Sequence, residues 1–562
     1  MSSNQPDPAA LAECLRVLEQ ARGAAPDDPT WQPIFRAAAN LHRDGKRYRR
    51  RTRIHAKVEH DRALLGESLR FKNQDPEVPP AERTPTSEST SGPPVAPTGG
   101  VAGGVAGEPG LTTGAPDAAL PPVDVPLLRV ARDCYVCKQE FRQVHPEYHQ
   151  MCPPCAEENL THRYARTDLS GRRAVITGGR IKIGFQLAVK LLRDGAEVLV
   201  TSRYPADAAR RFAAVPDAGQ WLDRLHLCRA DLLSAADVAG LVEAVEQRFD
   251  SLDILINNAA QTVWRPSAYH REVIAAEHEP LTGLAARIER WDVDPFGAAH
   301  GMALPAGSAG PAGPNGSTGA AGSVGVPGGV ESAPAGSTPA ALAPVESTAT
   351  WLAPDQVTPD PLAPRPIAPG GALAGPGRAP VSWEELFPSG QLDETGQPLD
   401  LRHTNSWALR LHQVGPAEWL QVHVINAFVP FLLTARLRPL LLAAPRPDRY
   451  VVQVSAMEGN FSRGTKTVRH PHTNMAKASL NMMVRTSAAD YAADGIYMSA
   501  VDTGWVTDER AHPSKQVQRD IGFRPPLDPI DGAARVYHPI IAGVAGNPLY
   551  GVFLKDYRPS PW

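Results

Sequence analysis

A glycine-rich turn between an apolar segment and an amphipathic helix constrains the fold of this 562-residue chain more than any other feature. The turn, residues 177–184, follows the apolar run 174–176, and apolar side chains then recur every four residues at Ile183, Leu187 and Leu191. Glycines at such a turn let backbone N–H groups and the positive end of a helix dipole approach a phosphate group. The pattern therefore predicts a strand, a phosphate-binding turn and a helix.

Strands and helices alternate after this turn. The predicted strands are 197–201, 252–256, 450–454 and 497–501, and the predicted helices are 234–249, 418–440 and 476–491. This order indicates an α/β fold with a doubly wound parallel sheet, the Rossmann fold. Its two halves are expected at residues 169–268 and 406–562.

Proline and glycine are concentrated in two stretches of the chain, which has 56 prolines and 47 glycines. Such segments bury too little apolar surface to offset the entropy of the chain. Residues 73–126 are predicted to be a disordered linker, and residues 269–405 a largely disordered insertion inside the Rossmann domain. Apolar positions at helical spacing predict an N-terminal helical region at residues 1–72.

Four of the six cysteines form two C-x-x-C pairs, Cys134 with Cys137 and Cys152 with Cys155. Four thiolates at this spacing can reach one tetrahedral ion and leave no open position for water, so residues 130–165 are predicted to be a small module around a structural zinc. His145 and His149 lie between the pairs, which leaves a site of three cysteines and one histidine open. A redox dithiol is the other alternative.

The motifs resemble those of the short-chain dehydrogenase/reductase family. The family turn T-G-x-x-x-G-x-G is matched at Thr177, Gly178, Ile183 and Gly184, with Lys182 in place of the middle glycine. Four more matches follow in order. They are Asp231-Leu232, the stretch Asn257-Asn258-Ala259-Ala260, Asn426 at the position of the family's catalytic-site asparagine, and Lys477 at the position of the Y-x-x-x-K lysine. The resemblance implies a dinucleotide cofactor and oxidoreductase chemistry.

The resemblance also implies which residues bind the cofactor. They are Thr177, Gly178, Arg180, Lys182, Ile183, Gly184, Ser202, Arg203, Asp231, Leu232, Asn258, Ala259, Ala260, Lys477 and Thr503. Lys182 either narrows the approach to the pyrophosphate or pairs with a phosphate, and Arg180 beside it favours the second interpretation. Arg203 occupies the strand end where NAD enzymes carry an acidic residue, which predicts NADP(H) because a guanidinium can grip a 2′-phosphate.

The catalytic positions depart from the family. Thr473 stands where the family has its proton-donating tyrosine, and the family serine corresponds to Ser455 or has become Ala456. The predicted catalytic set is Asn426, Ser455, Lys477 and His472, with His470 or His472 as the surrogate acid and base because histidine titrates near neutrality. Equally, both histidines can be ordinary loop residues.

These observations support an NADP(H)-dependent oxidoreductase that acts on an unknown alcohol or carbonyl compound. The alternative is a catalytically silent NADP(H)-binding sensor or scaffold. The net charge of −3 and an isoelectric point near 6.6 give no reason to expect nucleic acid as a partner. Without a long apolar run or a secretory signal, a cytoplasmic protein with no membrane partner is expected. The family resemblance further implies a homodimer or homotetramer.

Overall fold

The computed structural model describes residues 7–25, 27–72, 126–293, 382–464 and 466–562. The predicted linker at 73–126 therefore lies almost wholly outside the described residues, as does the central part of the predicted insertion.

Helices and short strands alternate along most of the described chain. In chain order, the helices are α1 (Pro8–Arg22), α2 (Gln32–Gly66), α3 (Leu69–Lys72), α4 (Pro153–Tyr164), α5 (Lys182–Arg193), α6 (Pro205–Ala213), α7 (Ala235–Arg248), α8 (Ser267–Glu277), α9 (Gly283–Arg287), α10 (Trp383–Leu386), α11 (Pro416–His423), α12 (Val429–Arg436), α13 (Arg438–Ala443), α14 (Pro471–Ala493), α15 (His512–Asp520) and α16 (Pro529–Val544). The strands are β1 (Leu127–Asp133), β2 (Glu140–Gln143), β3 (Arg173–Ile176), β4 (Glu197–Ser202), β5 (Leu225–Arg229), β6 (Ile254–Asn257), β7 (Glu289–Asp292), β8 (Arg449–Ser455), β9 (Ile496–Asp502), β10 (Phe553–Lys555) and β11 (Arg558–Ser560).

Nine strands form one sheet in the order β11-β10-β9-β8-β6-β3-β4-β5-β7, and only the β10–β11 pair is antiparallel. The chain first builds outward from β3 through β4 and β5, and then crosses to the other side of β3 to add β6, β8 and β9. The strand order therefore reverses between β3 and β6, and ligands of such sheets bind at the carboxyl ends of the strands at this point. The predicted doubly wound parallel sheet is confirmed.

The central strands are apolar on both faces because helices cover both sides of the sheet. Val175 and Leu255 belong to the core on one face, while Ile176 and Ile256 belong to the core on the other. Helix α5 packs on the second face against α16, where Gly532 admits the Ile183 side chain. This packing fixes the start of α5, and with it the glycine-rich turn.

Two boundaries differ from those predicted. The first half of the Rossmann domain continues past residue 268, because α8, α9 and β7 follow and β7 pairs with β5 at the sheet edge. The helix predicted at 418–440 is divided into α11, a π-helical turn at Val424–Phe428, α12 and α13. The first break lies at the π-helical turn. Pro430 causes this break, because it has no N–H to donate to the carbonyl four residues earlier, at Asn426.

The cysteine module consists of the β1–β2 hairpin and α4, and it docks on α16 through buried charges. The Arg163 guanidinium donates to Asp528 and Asp531, each at 2.7 Å, and the Tyr148 hydroxyl also donates to Asp531 at 2.7 Å. Buried ions are tolerated only when they are paired in this way. The module is therefore a fixed part of the domain. No helix among the described residues has the length and apolarity needed to cross a membrane.

Candidate dinucleotide and catalytic site

A cavity of about 890 Å³ lies at the carboxyl edge of the sheet, where the strand order reverses. It brings together almost all of the predicted cofactor residues. They are Gly178, Arg180, Lys182, Ile183, Gly184, Ser202, Arg203, Asp231, Leu232, Asn258, Ala259, Ala260, Lys477 and Thr503. The predicted residue Thr177 lies behind the wall, where its hydroxyl accepts from the N–H groups of Asn258 and Ala259, each at 3.0 Å.

The glycine-rich turn is held closed by Asn258. Its side-chain amide donates to the carbonyls of Thr177 at 3.0 Å and Gly178 at 2.9 Å. A Cβ at Gly184 would lie 2.4 Å from both that amide nitrogen and the Gly178 oxygen, so no side chain fits there. The turn and the stretch after β6 are therefore built as one unit, which explains why the two motifs occur together.

The cations of the turn pair with carboxylates. Lys182 has a φ of +54°, so it adopts the left-handed conformation that favours glycine at this position of the family turn. Its ammonium donates to Glu509 at 3.0 Å, and Arg180 donates to Asp207 at 2.6 Å. Burial would raise the pKa of Glu509, but Lys182 and Lys515 together lower it to about 2. Lys182, which was predicted to pair with a phosphate, therefore pairs with the Glu509 carboxylate in this structure.

Arg203 is different, because its side chain is exposed at the end of β4 and lies over the Tyr204 ring at 5.4 Å. It forms no ion pair within the part of the chain that the structure describes. Burial lowers the pKa of His270 to about 3, and the charges of Arg203, Arg180 and Arg265 contribute to the shift. Arg203 therefore offers an exposed guanidinium in this corner of the cavity, to which an anion can bind.

Lys477 lies at the other end of the cavity. Its ammonium donates to the Val454 carbonyl at 2.6 Å, and burial lowers the pKa of the lysine to about 8, partly opposed by Glu458. Asn426, in the π-helical turn, lies behind the wall of the cavity. Its amide accepts from the Gln261 N–H at 2.7 Å and donates to the Gln261 carbonyl at 3.0 Å, which fixes the backbone after β6.

The structure does not bring the other predicted catalytic residues to the cavity in a reactive form. Ser455 is at the wall, but its buried hydroxyl donates to Asn481 at 2.6 Å, and Ala456 is the neighbouring wall residue. Thr473 is buried. His472 is also buried, with Nε2 3.4 Å from Glu418 Oε1, because the second residue of α14 turns inward. His472, predicted as a catalytic residue, therefore does not line the cavity.

Of the two histidines predicted as surrogate acid and base, His470 lines the cavity, together with Lys477. Its ring stacks on Trp407 with centroids 3.9 Å apart, and Nδ1 is 3.0 Å from Asn474 Oδ1. An Nδ1–H donated to that oxygen leaves Nε2 as the basic nitrogen. Burial lowers the pKa of His470, so the neutral ring predominates at pH 7.

The four predicted metal ligands form one cluster. The Sγ atoms of Cys134, Cys137, Cys152 and Cys155 all lie within 4.8 Å of one another. Cys137 Sγ and Cys152 Sγ are 3.7 Å apart, close to the separation of about 3.8 Å that a tetrahedral zinc site with bonds of about 2.3 Å requires. His145 pairs with Glu157 at 3.0 Å, and His149 approaches the Arg524 carbonyl. The donor set thus fits a zinc ion held by four thiolates.

Sequence reasoning missed the carboxylates that partner the turn, Asp207 and Glu509, and a tyrosine of the cysteine module, Tyr135, that lines the cavity. Glu509 is 327 positions from Lys182, and no local periodicity connects residues so far apart. Asp207 was within reach of sequence analysis, since an acidic residue in the first turn of α6 faces the neighbouring βα turn.

The first half of the Rossmann domain matches a known protein family. The family model for the short chain dehydrogenases matches residues 172–276. These residues include the glycine-rich turn, Arg203, Asp231 and the 257–260 stretch. This match supports the resemblance of the first half of the Rossmann domain to the short-chain dehydrogenase/reductase family.

Individual relatives match over very different lengths. An uncharacterized protein of Acanthamoeba polyphaga mimivirus is 28% identical over 420 residues, which are 73% of this chain and 71% of that protein. A D-beta-hydroxybutyrate dehydrogenase of Cupriavidus necator is 35% identical over 91 residues, which are 16% of this chain and 34% of that enzyme. Among solved structures, a Pseudomonas aeruginosa RhlG/NADP complex is 15% identical, covers 69% of this chain and 95% of that chain, and has a TM-score of 0.37.

Proposed function

We propose that this chain is an NADP(H)-dependent oxidoreductase that interconverts an alcohol and a carbonyl compound. One observation carries the proposal, namely that a single cavity joins the glycine-rich turn and the exposed Arg203 to the buried ammonium of Lys477. The corner at Arg203 suits a 2′-phosphate, which a guanidinium can bind with two hydrogen bonds. Asp231 and Leu232 would flank the adenine.

The dinucleotide, when bound, supplies or accepts the hydride. Lys477 would hold the nicotinamide ribose, and its ammonium persists at pH 7 because its pKa is about 8. Asn426 acts indirectly by fixing the Gln261 backbone at the wall. In place of the family tyrosine, His470 would exchange the proton with the substrate oxygen through Nε2. Its neutral ring accepts a proton from an alcohol, and the protonated ring formed at lower pH donates one to a carbonyl.

The four cysteines would hold a structural zinc. Four thiolates fill a tetrahedral coordination sphere, so the ion would stabilise the module and take no part in the reaction. Metal analysis of the purified chain should give about one zinc per chain under this assignment. A zinc content near zero in protein purified without chelator would contradict it.

The test of cofactor and activity is a titration with NADPH and NADH, followed by a panel of carbonyl compounds with the bound NADPH. We expect NADPH to bind at least about tenfold tighter than NADH, since a charged hydrogen bond contributes roughly 1.5–3 kcal/mol. At least one carbonyl should oxidise the bound NADPH, which its absorbance reports. Equal affinity for the two cofactors would contradict the assignment of Arg203.

The second candidate function is a catalytically silent NADP(H) sensor. Two observations favour it, since a buried threonine, Thr473, stands at the tyrosine position and the Ser455 hydroxyl donates to Asn481. Under this candidate NADPH binds but is never oxidised, in the parent chain and in Lys477→Ala alike. A reductase activity that Lys477→Ala abolishes would exclude the sensor.

A further inference from the structure

The cysteine module reaches the end of the cavity that contains Lys477 and His470, which we call the catalytic end. Tyr135 and Lys138, in and just after the first C-x-x-C pair, line the same cavity as Lys477 and Thr503. The module precedes the first strand of the Rossmann sheet in the chain, and its α4 packs on α16. Part of the wall of the cavity is thus built by a segment outside the doubly wound fold.

The contact is specific and involves the backbone of the turn after β9. The Trp505 N–H donates to the Tyr135 hydroxyl oxygen at 2.9 Å. Gly504, one residue earlier, has a φ of +75°, and a Cβ there would lie 3.1 Å from the same hydroxyl and 2.5 Å from Leu527 Cδ1. The Tyr135 hydroxyl therefore packs against the backbone at Gly504, where any larger residue would collide with its neighbours.

Tyr135 is held in turn by the cysteine site. Its own N–H donates to the Gln150 carbonyl at 2.8 Å, two residues before Cys152, so its backbone bridges the two C-x-x-C pairs. Its neighbour Cys134 is buried and its N–H donates to the Gln139 carbonyl at 2.9 Å. An ion that gathers the four thiolates would fix both pairs, and with them the position of the Tyr135 ring.

We propose that Tyr135 is a positioning residue through which the four-cysteine site holds the turn at residues 502–505 in place at the catalytic end of the cavity. The contact between the cysteine site and the turn at residues 502–505 follows from the observed hydrogen bonds alone. Only its consequence for cofactor binding rests on the proposed function. Loss of the hydroxyl or of the ion should loosen the turn and weaken NADPH binding.

The first experiment measures the turn without any cofactor. Hydrogen–deuterium exchange of a peptide covering residues 503–510 is compared between the parent chain, Tyr135→Phe and the matched control Tyr164→Phe. Tyr164 lies on α4 of the same module and is exposed, so its hydroxyl should not matter. We expect exchange about fivefold faster in Tyr135→Phe, as for one lost hydrogen bond, with the zinc content unchanged. Exchange equal to that of the parent chain would overturn the proposal.

A second arm treats the parent chain with a chelator and follows the same peptide. Faster exchange of residues 503–510 is expected, and no change there would show that the cysteine site does not hold the turn. In a third arm the NADPH Kd of Tyr135→Phe should rise about threefold or more. If the exchange differs but the parent chain binds no NADPH, the proposed function fails while the positioning role stands. If NADPH binds equally to both chains and the exchange is equal, the positioning role fails alone.

Discussion

The cavity has a phosphate end, at the glycine-rich turn and Arg203, and a catalytic end, at Lys477. Both lie on the same sheet edge, but the phosphate end retains more of the family's motif residues than the catalytic end does. At the phosphate end, Gly178 and Gly184 remain and Asn258 still closes the turn. At the catalytic end, Lys477 remains, but Thr473 stands at the tyrosine position and the Ser455 hydroxyl donates to Asn481. The glycines of the phosphate end can be replaced by few other residues, because a Cβ at Gly178 or Gly184 would collide with backbone atoms. A proton can be moved by any group of suitable pKa, so the catalytic end tolerates substitution.

The largest expected effect comes from Gly184→Ala at the phosphate end. The added Cβ would meet the Asn258 amide and the Gly178 oxygen at 2.4 Å, so the turn must open. We expect the NADPH Kd to rise more than about 100-fold by fluorescence titration. Gly219→Ala is the control, because a Cβ there meets nothing within 4 Å. If Gly184→Ala binds NADPH normally, the cofactor does not occupy this turn.

At the catalytic end, His470→Asn should lower kcat about 100-fold and leave the NADPH Kd within about twofold, since general acid–base catalysis contributes at least this much. Asparagine suits the φ of +41° at this position. Because burial lowers the pKa of His470, alcohol oxidation by the parent chain should be constant near neutrality and decline as the pH falls through that pKa. A kcat unchanged in His470→Asn would remove the histidine from the mechanism.

Arg203→Ala tests the 2′-phosphate corner. NADPH affinity should fall about tenfold while NADH affinity is unchanged, because only NADPH carries the phosphate that the guanidinium would bind. Arg229→Ala is a suitable control, since Arg229 ends the neighbouring strand and pairs with Asp292 at 2.9 Å. Equal losses for both cofactors would mean that Arg203 acts on the fold and not on the phosphate.

The smallest expected effect concerns stability. Burial, with Glu458 and Asp556 nearby, raises the pKa of Asp502 from 3.8 to about 6. A raised carboxyl pKa means that the folded state binds the proton more tightly, so the ionised form destabilises the fold above pH 6 and this penalty fades as the pH falls towards 4. Asp502→Asn keeps an acceptor for the Met457 N–H and should raise the Tm by a few degrees at pH 7.5, with a shrinking gain at lower pH. A gain that does not depend on pH would contradict the assigned cause.

Local sequence patterns predicted a large part of the fold. The glycine-rich turn, the strand and helix order and the cysteine spacing predicted the Rossmann sheet, the phosphate-binding turn and the thiol cluster, because each pattern is formed by residues close together in the chain. The same reasoning misjudged the end of the first half at residue 268, because the short edge strand β7 is recognised only by its pairing with β5. It also overlooked Pro430, which is a local signal that the helix predicted at 418–440 is interrupted.

What the sequence alone determined is thus the sheet, the turn at Thr177 to Gly184 and the cluster of four cysteines. Only the tertiary structure decided that His470 and not His472 faces the cavity, that Lys182 already has Glu509 as its partner, and that Tyr135 touches the turn after β9. The physical reason is the sequence distance between partners. Trp505 lies 370 positions from Tyr135, and no periodicity or propensity brings such residues together before the chain has folded.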